Sequence, residues 1–155
     1  MDEKTVGLIT FVLTGIGTYF TTRWKVRKDI DVEYGRMVRE ARLRTYPTVW
    51  ATLQPLALYA RHWAVTNRTA WTLAGSLRRW YFEQGGMFLT DGSRDAYFAL
   101  QRSLGDYLSQ VPWQMGAAER ELDEDAFEPI RNAGSELRTQ LVRDLGTRRT
   151  DAPVR

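Results

Sequence analysis

Residues 5–22 carry no charged side chain, and a basic cluster follows them at once. The stretch reads TVGLITFVLTGIGTYFTT. Asp2 and Glu3 precede it, and Arg23, Trp24, Lys25, Val26, Arg27 and Lys28 close it. As a helix it would span roughly 27 Å, near the ~30 Å of a bilayer's hydrocarbon core. A transmembrane helix accounts for the length, the missing charges, and Tyr19 and Trp24 near one interface. A secretory signal peptide fits poorly, because the preceding residues are acidic and no small-x-small cleavage pattern follows. The remaining reading is a helix buried within a soluble domain or against a partner.

The flanks give the span a direction. Lys4 stands against two acids before it, whereas Arg23, Lys25, Arg27 and Lys28 crowd the other end. Cytoplasmic flanks are enriched in Lys and Arg, so the N-terminus is expected outside and the rest of the chain at the cytoplasmic face of the inner membrane. The same cluster, with Trp24, is placed to meet anionic headgroups.

Within the span the small residues form a stripe. Gly7, Thr10, Thr14, Gly17 and Thr21 recur at alternating spacings of three and four and share one helical face. Ile9, Val12, Leu13, Ile16 and Phe20 lie mainly opposite. Lipid supplies no hydrophobic drive for helix association, so membrane helices meet where small residues let backbones approach. The stripe is therefore expected to pack on another transmembrane helix, from a second copy or a different subunit.

Beyond the anchor (1–28), about 120 residues suffice for one domain with a core. That domain is taken as 29–146, with 147–155 a patternless, disordered tail. The chain has no cysteine. Disulfides, thiol catalysis and cysteine-ligated zinc are thereby excluded. Nineteen of its 22 basic residues are arginine, a bias that suits a GC-rich bacterial genome. Residues 23–79 carry a net charge of +8 and residues 80–155 a net −4. A positive half next to the membrane suits an anionic leaflet. Nucleic acid is the rival partner for such a half, but no helix-turn-helix, zinc-finger or RNA-recognition signature accompanies it.

Helical spacing recurs along the domain, and no segment alternates long enough for a strand. A first helix is predicted over 29–45, with Ile30, Tyr34, Met37, Val38 and Ala41 on one face. Arg36–Glu40 and Glu40–Arg44 are candidate ion pairs on another. Pro47 suits the first turn of a new helix carrying Val49, Trp50 and Leu53, which Pro55 ends. Residues 55–66 read as a packed connector. Thr66 or Asn67 caps a helix to about Gln84, with Ala70, Leu73, Ala74, Leu77, Trp80 and Tyr81 inward and Gly85-Gly86 as its C-cap. Met87-Phe88-Leu89 is expected to plug the core. Thr90 or Asp91 caps the next helix, whose stripe is Tyr97, Leu100, Leu104, Tyr107 and Leu108. In the last region Leu122, Ala126, Ile130, Ala133, Leu137, Leu141 and Leu145 recur, Pro129 separates a short helix from a longer one, and Gly146 stops it. The fold expected is all-α: one transmembrane helix and a compact domain of four to five helices.

Catalytic patterns are scarce. His62 is the only histidine and lacks a carboxylate at motif spacing, so packing beside Trp63 is the better reading. No nucleophile elbow, phosphate loop or zinc-protease motif occurs. Glu119, Glu121, Asp123, Glu124, Asp125 and Glu128 are the one dense acidic group. Calcium-loop spacing is missing there, and helix-dipole and solvation effects account for it. No cofactor and no metal are expected. The aromatic stretch WYFEQGGMFLTDGSRDAYFAL fits either an interaction surface or a helix–helix joint, and the joint is favoured because each aromatic fits a core stripe or the link. The expectation overall is a non-enzymatic, membrane-anchored accessory, adaptor or assembly subunit. The alternatives are a tethered enzyme with a carboxylate and arginine pocket, and a soluble helical interaction protein that buries residues 5–22 in a partner.

Overall fold

A computed structural model of the chain describes residues 30–57, 65–111 and 118–146. The described residues are helical, with no strand among them, as the helical spacing predicted. Residues 30–52 form α1. Asn67–Trp80 is α2, Asp91–Gln110 is α3 and Glu124–Asp144 is α4. Among the described residues no helix is long and apolar enough to cross a membrane. The span 5–22, its small stripe Gly7, Thr10, Thr14, Gly17 and Thr21, the cluster Arg23–Lys28, His62 and the tail lie outside the described residues.

The chain divides into two units, Met1–Glu40 and Ala41–Arg155. In the first, Ile30, Val32, Tyr34 and Met37 are exposed and Arg36 pairs with Glu40 at 3.1 Å. In the second, α3 packs along α4 and α2 packs on α3. The core joins Val49 of α1 and Leu53 just after it to Leu73, Leu77 and Trp80 of α2, Leu100 and Leu104 of α3, and Phe127, Ile130, Leu137 and Leu141 of α4. A short 3-10 turn at Gln54–Leu56, opened by Pro55, ends α1 and packs on α4. A Cβ on Gly134 would stand 2.4 Å from Leu56 Cδ1, so the absent side chain there admits the turn.

Each later helix begins on a side-chain cap. Thr66 accepts from Thr69 N, Thr90 from Ser93 N and Asp123 from Ala126 N, filling donors that a helix leaves open. The α2 start is closed further by a single bridge between Thr66 and Glu121. There Asn67 N donates to Arg120 O (3.0 Å) and Arg68 N to Ala118 O (2.9 Å). The Tyr107 hydroxyl donates to the buried Asn67 side chain, tying α3 to this point. At the other end of the chain Gly146 takes φ +66°, the left-handed geometry expected of a helix stop.

Two prolines fail to break their helices. Residues 30–52 are continuous through Pro47, and α4 runs through Pro129 without dividing. Each proline is exposed and is flanked by buried anchors, Tyr46 and Val49 in one case and Phe127 and Ile130 in the other. The carbonyls left without a proline N–H, of Leu43 and Asp125, belong to exposed residues that water can serve. Trp50, expected inward with Val49 and Leu53, is instead exposed.

Candidate interaction surface

The segment after α2 is where geometry departs most from an ordinary helix. Tyr81–Gly85 is a π-helical turn, closed by Gly86 N donating to Tyr81 O, and a 3-10 turn over Gly86–Phe88 follows. Such turns are uncommon and recur at functional positions. The expected glycine C-cap is absent, because Gly85 and Gly86 both keep negative φ. Their role is space. A Cβ on Gly85 would lie 2.0 Å from Trp80 Cζ2, and one on Gly86 2.3 Å from Tyr81 O. The bare backbone lets the chain press against the Trp80 indole.

Trp80 starts a ladder of rings that runs from the core to solvent. Its Nε1 donates to Thr45 O at 3.1 Å, and Tyr46 meets it edge-on with centroids 6.4 Å apart. Tyr97 tilts against Trp80 and is stacked by Tyr81 at 4.8 Å. The Tyr97 hydroxyl donates to Leu77 O (3.2 Å) and accepts from Gln101 Nε2 (3.0 Å). Burial, its largest influence, holds that hydroxyl's pKa above the usual tyrosine value, against the Gln101 hydrogen bond. Outward of this pair, Phe82 meets Tyr81 edge-on at 5.3 Å and Phe98 tilts on it at 5.5 Å.

The outer rungs are wet. Phe82 is 78% exposed, Met87 84% and Phe98 40%. This corrects the joint reading, in which Met87, Phe88 and Leu89 plug the core: of the three, only Leu89 is buried. The signal lay in helical angle. Tyr97, Leu100 and Leu104 define the inward stripe of α3, and Phe98 stands about 100° past Tyr97. Phe82 stands the same turn past Tyr81. Aromatic composition drew both toward the core where position put them outside.

Beside the ladder lies a polar knot. The Asp144 carboxylate, at the end of α4, accepts from the hydroxyls of Tyr46 and Thr90, each at 2.7 Å, and from Ser93. Arg42 Nε donates to Phe88 O (2.8 Å), and its Nη1 reaches Asp144 O at 3.4 Å. Burial, then the Asp144 hydrogen bond and charge, drive the Tyr46 hydroxyl far above the usual tyrosine pKa, with Arg42 opposing. The knot therefore holds a neutral phenol and joins α1, the link before α3, and α4. Residues 42, 46, 90, 93 and 144 carry no motif, so only folding reveals the set.

The acidic group has structural occupations. Asp123 caps α4, Glu119 pairs with Arg68 at 2.6 Å, and Glu124 and Glu128 hold Arg131 at 3.0 and 3.7 Å. Among the described residues no group of three or more carboxylates or histidines is arranged to hold a metal ion. An open groove of about 390 Å³ runs between the end of α1 and α2, lined by Thr52, Gln54, Arg68, Thr69, Thr72 and Ser76 among others. Its one charge, Arg68, is the partner of Glu119. No family model, curated protein or solved structure matches this chain.

Proposed function

We propose that this chain is a non-enzymatic, single-pass membrane protein, an accessory, adaptor or assembly subunit that holds a helical domain at the cytoplasmic face. The observation that carries the reading is the uncharged stretch 5–22 closed by Arg23, Lys25, Arg27 and Lys28. Two further facts support it. Ile30, Tyr34 and Met37, soon after that cluster, are exposed on one face of a helix, the kind of surface a neighbouring helix covers. The carboxylates of 119–128 that make contacts do so in a cap and in ion pairs, which favours a structural over a catalytic use.

The partner in this reading is a second transmembrane helix seated on Gly7, Thr10, Thr14, Gly17 and Thr21, together with membrane lipid at Arg23–Lys28. Carbonate-resistant pelleting that is lost on deleting residues 1–22 is the expected result. A soluble full-length chain would overturn the anchor. Single cysteines at 7, 10, 14 and 17 should cross-link, in a self-pairing protein, well above those at 9, 13, 16 and 20. Equal cross-linking from both faces would remove the stripe as the contact. Mild-detergent purification of a clean monomer would remove the adaptor role.

A further inference from the structure

The exposed end of the aromatic ladder has no use in the proposed anchor. Phe82 and Phe98 meet through Tyr81, the space over Gly86 is closed by Tyr81, and the exposed Met87 follows in the same turn. Tyr81 is held in place by stacking on buried Tyr97, and the π turn sets the backbone that carries Phe82 beside it. Phenylalanine and methionine have no polar tip to satisfy in water. Their solvation is the costly part of this surface.

Charge frames the patch. Arg78 and Arg79 precede Phe82 by one helical turn, and Arg94 and Arg102 stand one turn either side of Phe98. Arg78 lies near enough to lower the Tyr97 pKa against the effect of burial. The acids nearby are Glu83, Asp91 and Asp95, of which Asp91 is tied to Arg94. Among the described residues Arg78, Arg79 and Arg102 form no ion pair, and set against Glu83 and Asp95 they leave the fringe positive.

Area and charge together bear on the occupant. Two partly exposed phenylalanines and a methionine offer roughly 300–400 Å² of apolar surface. A stable protein interface takes about 800 Å² of total surface from each partner, somewhat over half of it apolar, so a second copy would have to recruit the charged surface around these side chains as well. A bilayer does not need that area when an anchor already holds the domain beside it, because the contact is then intramolecular in effect. Apolar side chains fringed by arginine are the chemistry of a surface that enters the headgroup boundary of anionic lipid. We propose that Phe82, Met87 and Phe98, fringed by Arg78, Arg79 and Arg102, form a contact surface for an anionic lipid bilayer. This rests on the anchored reading above.

The absence of cysteine makes the test clean. The full chain carrying Glu83→Cys, labelled with an environment-sensitive dye, is reconstituted into vesicles of about 30% phosphatidylglycerol that contain headgroup-proximal nitroxide lipid. Asn132→Cys, on the exposed side of α4, is the reference. The dye at 83 should be quenched about two-fold or more over that at 132. Adding Phe82→Ser and Met87→Ser should bring it to the reference level with the circular dichroism unchanged. All-phosphatidylcholine vesicles should reduce it. Equal quenching at 83 and 132, in a chain that floats with the vesicles, overturns the lipid surface and leaves the anchor standing. A chain that does not float overturns the anchor and the lipid surface with it. A dye at 83 that lipid does not quench, but that is shielded from iodide, assigns the patch to a protein partner and overturns the proposal.

Discussion

Gly75 and Gly85 belong to one helical stretch and should respond oppositely to a methyl group. A Cβ at 75 meets nothing within 4 Å, so Gly75→Ala gains helix propensity at no packing cost. It should raise stability by about 0.5–1 kcal/mol. A Cβ at 85 would enter the Trp80 indole, which is buried and pinned through its Nε1. Gly85→Ala should cost about 1–3 kcal/mol, because the overlap outweighs the propensity gain. Urea midpoints of the two variants check both signs. Tyr46 offers a prediction of a different kind. Its pKa is raised in the fold by burial first and by Asp144 second. Folding therefore favours the protonated phenol. That contribution is complete below the unfolded value of about 10 and is lost as pH climbs from there toward the folded value. Tyr97 and Tyr107 shift the same way through burial. Stability should fall above about pH 10, and Tyr46→Phe should make that fall shallower while lowering stability at neutral pH through its lost hydrogen bond. Denaturation midpoints across the alkaline range report the slope.

Helix starts were legible in the sequence because a cap is local chemistry. Thr66, Thr90 and the acids before α4 announce themselves within a few residues of the run they begin. What each cap contributes depends on the fold. Thr66 works beside the Ala118 and Arg120 carbonyls, which already take the N–H groups of Arg68 and Asn67. Thr90 is also bonded to Asp144 Oδ1 at 2.7 Å, so its loss opens the polar knot as well as α3. Thr90→Ala should cost about 1–2 kcal/mol and Thr66→Ala about half that, read by thermal or urea unfolding. Equal costs would mean that the knot adds nothing. The prolines were misread for the complementary reason. A breaker acts through one missing hydrogen bond and a local clash, whereas buried residues on both sides of Pro47 and Pro129 act through the whole core. The last helix shows the same limit. Its spacing pointed to Ala126 and Ala133, which are half-buried, while the neighbouring Phe127 and Gly134 are buried outright, and Leu56 from the turn after α1 fills the space above Gly134.

At the scale of the whole molecule, the described core accounts for a helical domain, while the proposed location depends on residues before it. The two halves of the argument meet in charge. Arg23, Lys25, Arg27 and Lys28 follow the uncharged stretch, and only Lys4 precedes it with two acids. If the anchored reading holds, orientation is set by that contrast and not by the domain, since Lys and Arg near a span dominate topology while acids contribute little. Replacing the four downstream cations with glutamine, and Asp2 and Glu3 with lysine, should therefore invert the chain or divide it between two orientations. The folded domain should be unaffected, since its core among the described residues runs from Tyr46 to Leu141. A cysteine in place of Gly75, where nothing crowds the Cβ, reports the side of the membrane. In intact cells a membrane-impermeant maleimide should leave that cysteine unlabelled in the parent and label it in the charge-reversed variant. Labelling in the parent would place the domain outside. Unchanged protection in a variant that still resists carbonate would mean that something other than flanking charge sets the direction.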